Sequence, residues 1–247
     1  MRSKVLLVMA LVAALLSCKM VDAVKKRVMG ATASASAAAG SAAPPPATVA
    51  SATPSGGKVV PAPTHWKAAP LAVGQHCKYR IKYAKGSVAI VEYKIVGKKD
   101  GAYWMELDDT HPATHETRMF QVLLSIPDRA SAKGVDVKGL RMKMGGHVRE
   151  FRGAMMRAIS KGTNKYLRGL AIPQLEGKPQ EDKTVEAGTF KGCYKWLAKE
   201  HLAGMTEEGV HWNHPAVPIL TLVKSELDDG GSVELLDYGM TGAKAGF

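Results

Sequence analysis

The chain has 247 residues, 46% of them hydrophobic, and a formal net charge of +12. Residues 1–68 hold eight basic side chains and one acidic one, so seven of the twelve surplus charges lie there and only five in residues 69–247. Five is ordinary for a soluble domain, and the main support for nucleic acid as a partner goes with the tail.

The chain opens Met1-Arg2-Ser3-Lys4, continues as an apolar run from Val5 to Leu16, and reaches Ser17-Cys18. Two positive charges, a short apolar run and a small residue are the pattern of a secretory signal. The run is shorter than the roughly 20 residues a permanent bilayer-spanning helix needs. Leu15-Leu16-Ser17-Cys18 resembles the lipobox of bacterial lipoproteins. That resemblance implies cleavage after a signal peptide of residues 1–17 and diacylglycerol on the Cys18 thiol, so Cys18 is the expected site of lipid attachment. The alternative is an ordinary cleaved signal that ends near a cysteine. Lys19 stands where an aspartate would mark inner-membrane retention, so the expected location is the outer membrane of a bacterial envelope.

Residues 18–68 read as the lipidated cysteine and a flexible linker. Ala31-Thr32-Ala33-Ser34-Ala35 and Pro44-Pro45-Pro46 typify a stretch with little to bury, where ordering costs entropy without return. About 50 such residues reach roughly 40 Å.

Residues 69–247 are long enough for a single β-rich domain. His76 to Ala84 alternates, with Cys77, Tyr79, Ile81 and Tyr83 on one face and Lys78, Arg80 and Lys82 on the other. Val88 to Val96 is the expected return strand, and Lys98-Lys99-Asp100-Gly101 a turn. Ala102 to Leu107 sets Tyr103, Met105 and Leu107 against Trp104 and Glu106; Phe120 to Ile126 makes a fourth strand. Strands joined in sequence this way form a meander.

Val135 to Met144 reads as another strand with a bulge at Gly139, and Gly145-Gly146 as a hairpin turn. A helix is expected from Gly153 to about Leu170. Thr189 to Leu197 places Phe190, Tyr194 and Trp196 in phase, opposite Cys193. Gly209 to Asn213 is short, and Pro218 to Leu227 with Ser232 to Tyr238 form a hairpin closed by Asp228-Asp229-Gly230-Gly231. The expected fold class is mainly β (α+β): a curved antiparallel sheet or half-barrel with one helix on its concave face.

Two segments carry a further resemblance. Ala187-Gly188-Thr189-Phe190-Lys191-Gly192-Cys193-Tyr194 and Val217-Pro218-Ile219-Leu220-Thr221-Leu222-Val223-Lys224-Ser225-Glu226, the latter followed by Leu235-Leu236-Asp237-Tyr238-Gly239, are similar to elements of uncharacterised bacterial envelope proteins. The resemblance implies the half-barrel of the lipoprotein-carrier superfamily, of the LolA and LolB type. Gly192 is an extra residue relative to that pattern and is expected to shift the face on which Cys193 lies.

Chemistry in the chain is sparse. With Cys18 lipidated, Cys77 and Cys193 remain, as a disulfide in an oxidising compartment or as two buried thiols. His111 and His115, and His211 and His214, have neither the setting nor the further ligands of a metal site and read as solvated loop histidines. There is no Gly-x-Ser-x-Gly elbow and no Gly-Lys-Ser/Thr phosphate loop, so no enzyme activity, cofactor or metal is expected. Ten basic residues against two acidic ones between Lys133 and Arg168, with Met142, Met144, Met155 and Met156, suit a solvated face over an adaptable core, or a surface that meets anionic lipid or polysaccharide. Two functions follow: a non-catalytic module for an apolar or lipid-like ligand, or an interaction protein whose basic face meets an envelope-protein partner or an anionic surface. In both, the lipid anchor makes the membrane a partner.

Overall fold

The computed structural model describes residues 57–110, 117–126, 135–144, 147–151, 170, 172, 174–202 and 205–247. The chain divides after Ser55, and all described residues fall in the second unit, Gly56–Phe247. Cys18, the linker up to residue 56, the histidines at 111 and 115, and the helix expected from Gly153 lie outside the described residues. Leu170, at that helix's expected end, is described and buried.

Among the described residues twelve strands join one sheet: β1 (Val59–Val60), β2 (His76–Lys82), β3 (Val88–Lys99), β4 (Ala102–Thr110), β5 (Thr117–Ser125), β6 (Asp136–Met144), β7 (His147–Phe151), β8 (Gln180–Val185), β9 (Gly188–Leu202), β10 (Met205–Asn213), β11 (Leu222–Leu227) and β12 (Ser232–Gly239). The order is β1-β9-β10-β11-β12-β2-β3-β4-β5-β6-β7, with β8 on β9. Only the β1–β9 pair is parallel among these. Two meanders are thus joined edge to edge through β12 and β2. The sheet curls but does not close into a barrel. Its β8–β9 turn folds back to β12 and β2: the Ala187 N–H donates to the Leu235 carbonyl at 3.3 Å, and Arg80 pairs with Glu186 at 2.6 Å.

The two-residue alternation of β2 and β3 puts Cys77, Tyr79, Ile81, Val91, Tyr93 and Ile95 on one buried face, as their spacing predicts. That inner face continues through Met105, Val122 and Leu140 on one side and Val233 and Leu235 on the other. The Tyr79 hydroxyl donates to the Leu222 carbonyl at 3.0 Å, so the ring is buried without stranding its polar end. The opposite face is covered as well: Trp104, Glu106, Gln121 and Leu123 are buried there. Gly139 is the register partner of Leu123, whose other partner is Trp104. A Cβ at 139 would sit 3.1 Å from the Trp104 ring, and Arg141 stacks on that ring at 4.2 Å. The expected bulge falls next to Gly139, because the pairing jumps from Gly139 to Val137 between Leu123 and Leu124.

A second bulge rewrites the phase of β9. Lys183 pairs with Phe190 and Glu181 with Cys193, so two residues, Lys191 and Gly192, oppose Asp182. Gly192 takes φ +65, a left-handed conformation suited to glycine. Phe190 and Tyr194 therefore do not share one apolar stripe. Phe190 packs on His214 and Tyr238, whereas Tyr194 packs edge-on against Trp66 at 5.1 Å, beside Ile172 and Leu175.

Three expectations change. The sheet begins before residue 69: β1 pairs with Thr189 and Phe190, Lys58 O accepts from Thr189 N–H, and Trp66 is buried. These contacts are made largely by backbone, which composition does not show. The strand expected from Pro218 begins only at Leu222. Between His214 and Thr221 the chain makes tight turns, closed by His214 N–H on Thr221 O and Val217 N–H on His214 O. Its apolar residues are buried by a loop rather than by a strand. Finally, the polar strand β8 has no apolar alternation to announce it, and it pairs along the start of β9.

Candidate functional site

On the inner face, Ile95, Tyr103, Met105 and Leu124 from β3, β4 and β5 meet Leu170 and Ile219 around an apolar pocket. The strands bring these side chains together because Ile95 is opposite Met105 and Tyr103 opposite Leu124. Half-buried Leu71 and Ile126 complete the lining. The pocket volume is ≈ 10 Å³, about the space of one water.

The loop that brings Ile219 to the pocket is strained. Ile219 has φ +63 and Thr221 φ +56, both β-branched residues in the left-handed region. Such a conformation costs about 1–2 kcal/mol per residue. It persists because the surroundings fix it: Ile219 and Thr221 are buried, and the Asn213 amide donates to the Thr221 hydroxyl at 3.1 Å. The same Asn213 accepts from the Trp196 indole at 2.8 Å. Backbone strain of this kind concentrates at binding sites.

The outer face carries a polar ladder. His76, Lys94, Glu106, Gln121, Arg141 and Glu150 are successive register partners across six strands. Glu106 is fully buried; Lys94 reaches it at 2.5 Å and Asp108 at 2.5 Å, and the Gln121 amide donates to it at 2.8 Å. Burial lowers the proton affinity of Lys94, but its hydrogen bonds to Asp108 and Glu106 outweigh this and leave its pKa raised. Burial raises the Asp108 carboxyl against the opposing pull of Lys94. Elsewhere on this face Lys183, Lys195 and Lys224 crowd the Trp212 ring, at 4.0, 5.6 and 5.9 Å from its centre. Glu181 pairs with Lys183 and Lys195, which hold its carboxyl down at about 2.

No disulfide links Cys77 to Cys193, and both side chains are buried. Burial pushes the Cys193 thiol up to about 12, far from a reactive thiolate.

His211 and His214 are not solvated: they are 3% and 2% exposed, His211 lying on β10 between its register partners Trp196 and Ser225, and His214, just past β10, packing on Phe190 and meeting the Pro61 carbonyl. Burial lowers His211 to about 4 and also lowers His214. His211 Nε2 and the hydroxyl of its register partner Ser225 are buried and make no hydrogen bond. Among the described residues no group of three His, Cys, Asp or Glu side chains is placed to hold a metal, and no helix is long and apolar enough to cross a membrane. Of the basic segment's described members, Lys138 pairs with Asp136, Arg141 with Glu150, and Lys143 donates to the Gly246 carbonyl. The strained loop, the buried histidines and the ladder carry no motif. Glu106 and Lys94 are visible in sequence only as charges within apolar-rich strands.

No family model matches the chain, and no curated protein does. Two solved structures show a distant likeness. One is a protein assigned as exported, with a YmcC-like fold, from Bacteroides fragilis NCTC 9343, at 14% identity and TM-score 0.33. The other is assigned as a lipoprotein, from Parabacteroides distasonis ATCC 8503, at 14% identity and TM-score 0.28. Each alignment covers 69% of this chain and 97% of the other.

Proposed function

We propose that this is a lipid-anchored protein of the bacterial envelope. Diacylglycerol on Cys18 holds it to the membrane, in the outer membrane on the Lys19 criterion. A linker spaces the sheet from the lipid, and the sheet binds an apolar, lipid-like ligand without catalysis. The half-barrel of lipoprotein carriers is the functional analogy. Nucleic acid is not a partner.

The observation that carries the ligand reading is the apolar pocket capped by a strained Ile219. Its lining is apolar and aromatic, and the residue held at positive φ there is the buried, β-branched Ile219, whereas the exposed turn after β3 gives its positive φ to Asp100 and Gly101. At ≈ 10 Å³ the closed pocket is too small for an acyl chain, so entry requires the half-buried Leu71 and Ile126 to swing aside. The test is titration of the full chain with a fluorescent long-chain fatty acid, with native mass spectrometry of the purified protein. The expected result is saturable binding that Leu71→Trp weakens by filling the rim. Absence of binding together with a bare polypeptide mass ends the ligand reading.

A further inference from the structure

The outer face ends in an unusual contact. After β12 the chain turns at Gly242 (φ +96) and lays residues 243–247 across β4, β5 and β6. The Gly246 N–H donates to both oxygens of the buried Glu106 carboxylate, each at 3.0 Å. The Gln121 amide donates to the Phe247 carbonyl at 3.4 Å, and Lys143 Nζ to the Gly246 carbonyl at 3.3 Å. Upstream, the Ala243 N–H donates to Gly74 O at 2.8 Å.

The contact is close. A Cβ at position 246 would lie 2.5 Å from Met119 Sδ and 3.2 Å from Glu106 Oε1, so glycine fits as the groove stands and a larger residue needs the flexible Met119 side chain to move aside. A buried carboxylate needs hydrogen-bond donors, and this one takes a main-chain donor from a segment whose residues are mostly exposed. These hydrogen bonds are made by the segment's backbone to the side chains of Glu106, Gln121 and Lys143.

We infer that the groove formed by Glu106, Gln121 and Lys143 is a peptide-recognition site, occupied by the chain's own residues 243–247, and that it accepts the same segment from a second copy. Both arrangements make the same contacts, so exchange loses only the freedom of two chains becoming one particle. Gly242 is the hinge. Space around it is open, with nothing within 4 Å of a Cβ added there, so only its positive φ ties it to glycine.

Two full-chain variants test this. Gly246→Asp puts a second carboxylate against Glu106 and expels the resident segment without touching the groove. A fluorescein-labelled peptide of residues 241–247 should then bind with half-saturation below about 1 mM, and about tenfold more weakly to wild type, whose groove is filled, and to Gly246→Asp/Lys143→Ala. Gly242→Val strains the return path while leaving groove and segment intact. Sedimentation velocity should show its dimer fraction rising with concentration above that of wild type. If folded Gly246→Asp leaves the peptide free, recognition is refuted. If Gly242→Val stays monomeric wherever wild type does, exchange with a second copy is refuted.

Discussion

Acid should weaken this domain through His211. The ring is 3% exposed and touches Trp196 at 5.5 Å, and its depressed pKa has one cause, burial. In the unfolded chain it titrates at 6.5, and in the folded chain at about 4. Between those values the unfolded state binds a proton that the folded state refuses, so the folded state loses ground as pH falls. The contribution is complete above pH 6.5 and gone once the pH is below 4. The gap between 6.5 and 4 corresponds to about 3 kcal/mol, of which about 2 kcal/mol falls between pH 7 and pH 5. That is a sizeable part of a typical stability of about 5–15 kcal/mol. Urea unfolding of wild type and His211→Phe at pH 7 and pH 5 reads it directly. Phenylalanine keeps the ring volume and removes the unpartnered Nε2, so the variant should lose about 2 kcal/mol less on acidification. A residual slope comes from His214, lowered in the same direction. Glu181 does not intrude, because its contribution is lost as pH falls from 4.5 toward 2. Equal losses in the two proteins would refute the assignment of the acid sensitivity to His211.

Three further outcomes are expected. Gly209→Ala places a Cβ 2.5 Å from Glu226 O and 3.0 Å from Leu227 Cα, both backbone atoms that cannot step aside; it should part β10 from β11, cost about 2 kcal/mol and lower the melting temperature. Lys94→Met strands the buried Glu106 charge and should cost about 3–5 kcal/mol by denaturant unfolding, with Lys94→Met/Glu106→Gln recovering part of the loss. Cys18→Ser in a bacterial host should move the protein from the detergent to the aqueous phase in phase partitioning and leave residues 1–17 uncleaved; unchanged partitioning would remove the anchor from the proposed function.

Where the chain alternates, sequence and structure agree closely. Cys77, Tyr79 and Ile81, then Val91, Tyr93 and Ile95, fall on the buried face that their period of two assigns. The Gly139 bulge and the Asp228–Gly231 turn were also legible, since glycine marks places where side chains or ordinary φ do not fit. What escaped has no period. β1 is two residues long, and β8 is polar and exposed along much of its length. Residues 218–221 look like strand because Ile219, Leu220 and Thr221 are β-formers, yet tertiary packing overrides propensity and holds two of them at positive φ. The candidate pocket draws on six separate stretches of chain, so no local window shows it. Glu106 was assigned its correct face, but alternation distinguishes faces, not whether the second face meets water.

That second face explains how the first can be so apolar. A sheet whose inner surface is mostly apolar along β2 to β6 has little to prevent those strands from slipping by two residues, which keeps every side chain on its own face. The ladder from His76 to Glu150 supplies the missing instruction, because such a slip sets Lys94 and Glu106 beside the wrong partners, and a slip by one drives them into the apolar side. Buried ion pairs are weak contributors to stability when compared with apolar replacements, but they discriminate strongly among alternative pairings. Placing register control on the outer face leaves the inner face free of polar groups around Ile95, Met105 and Leu124, where a lipid-like ligand would have to be received.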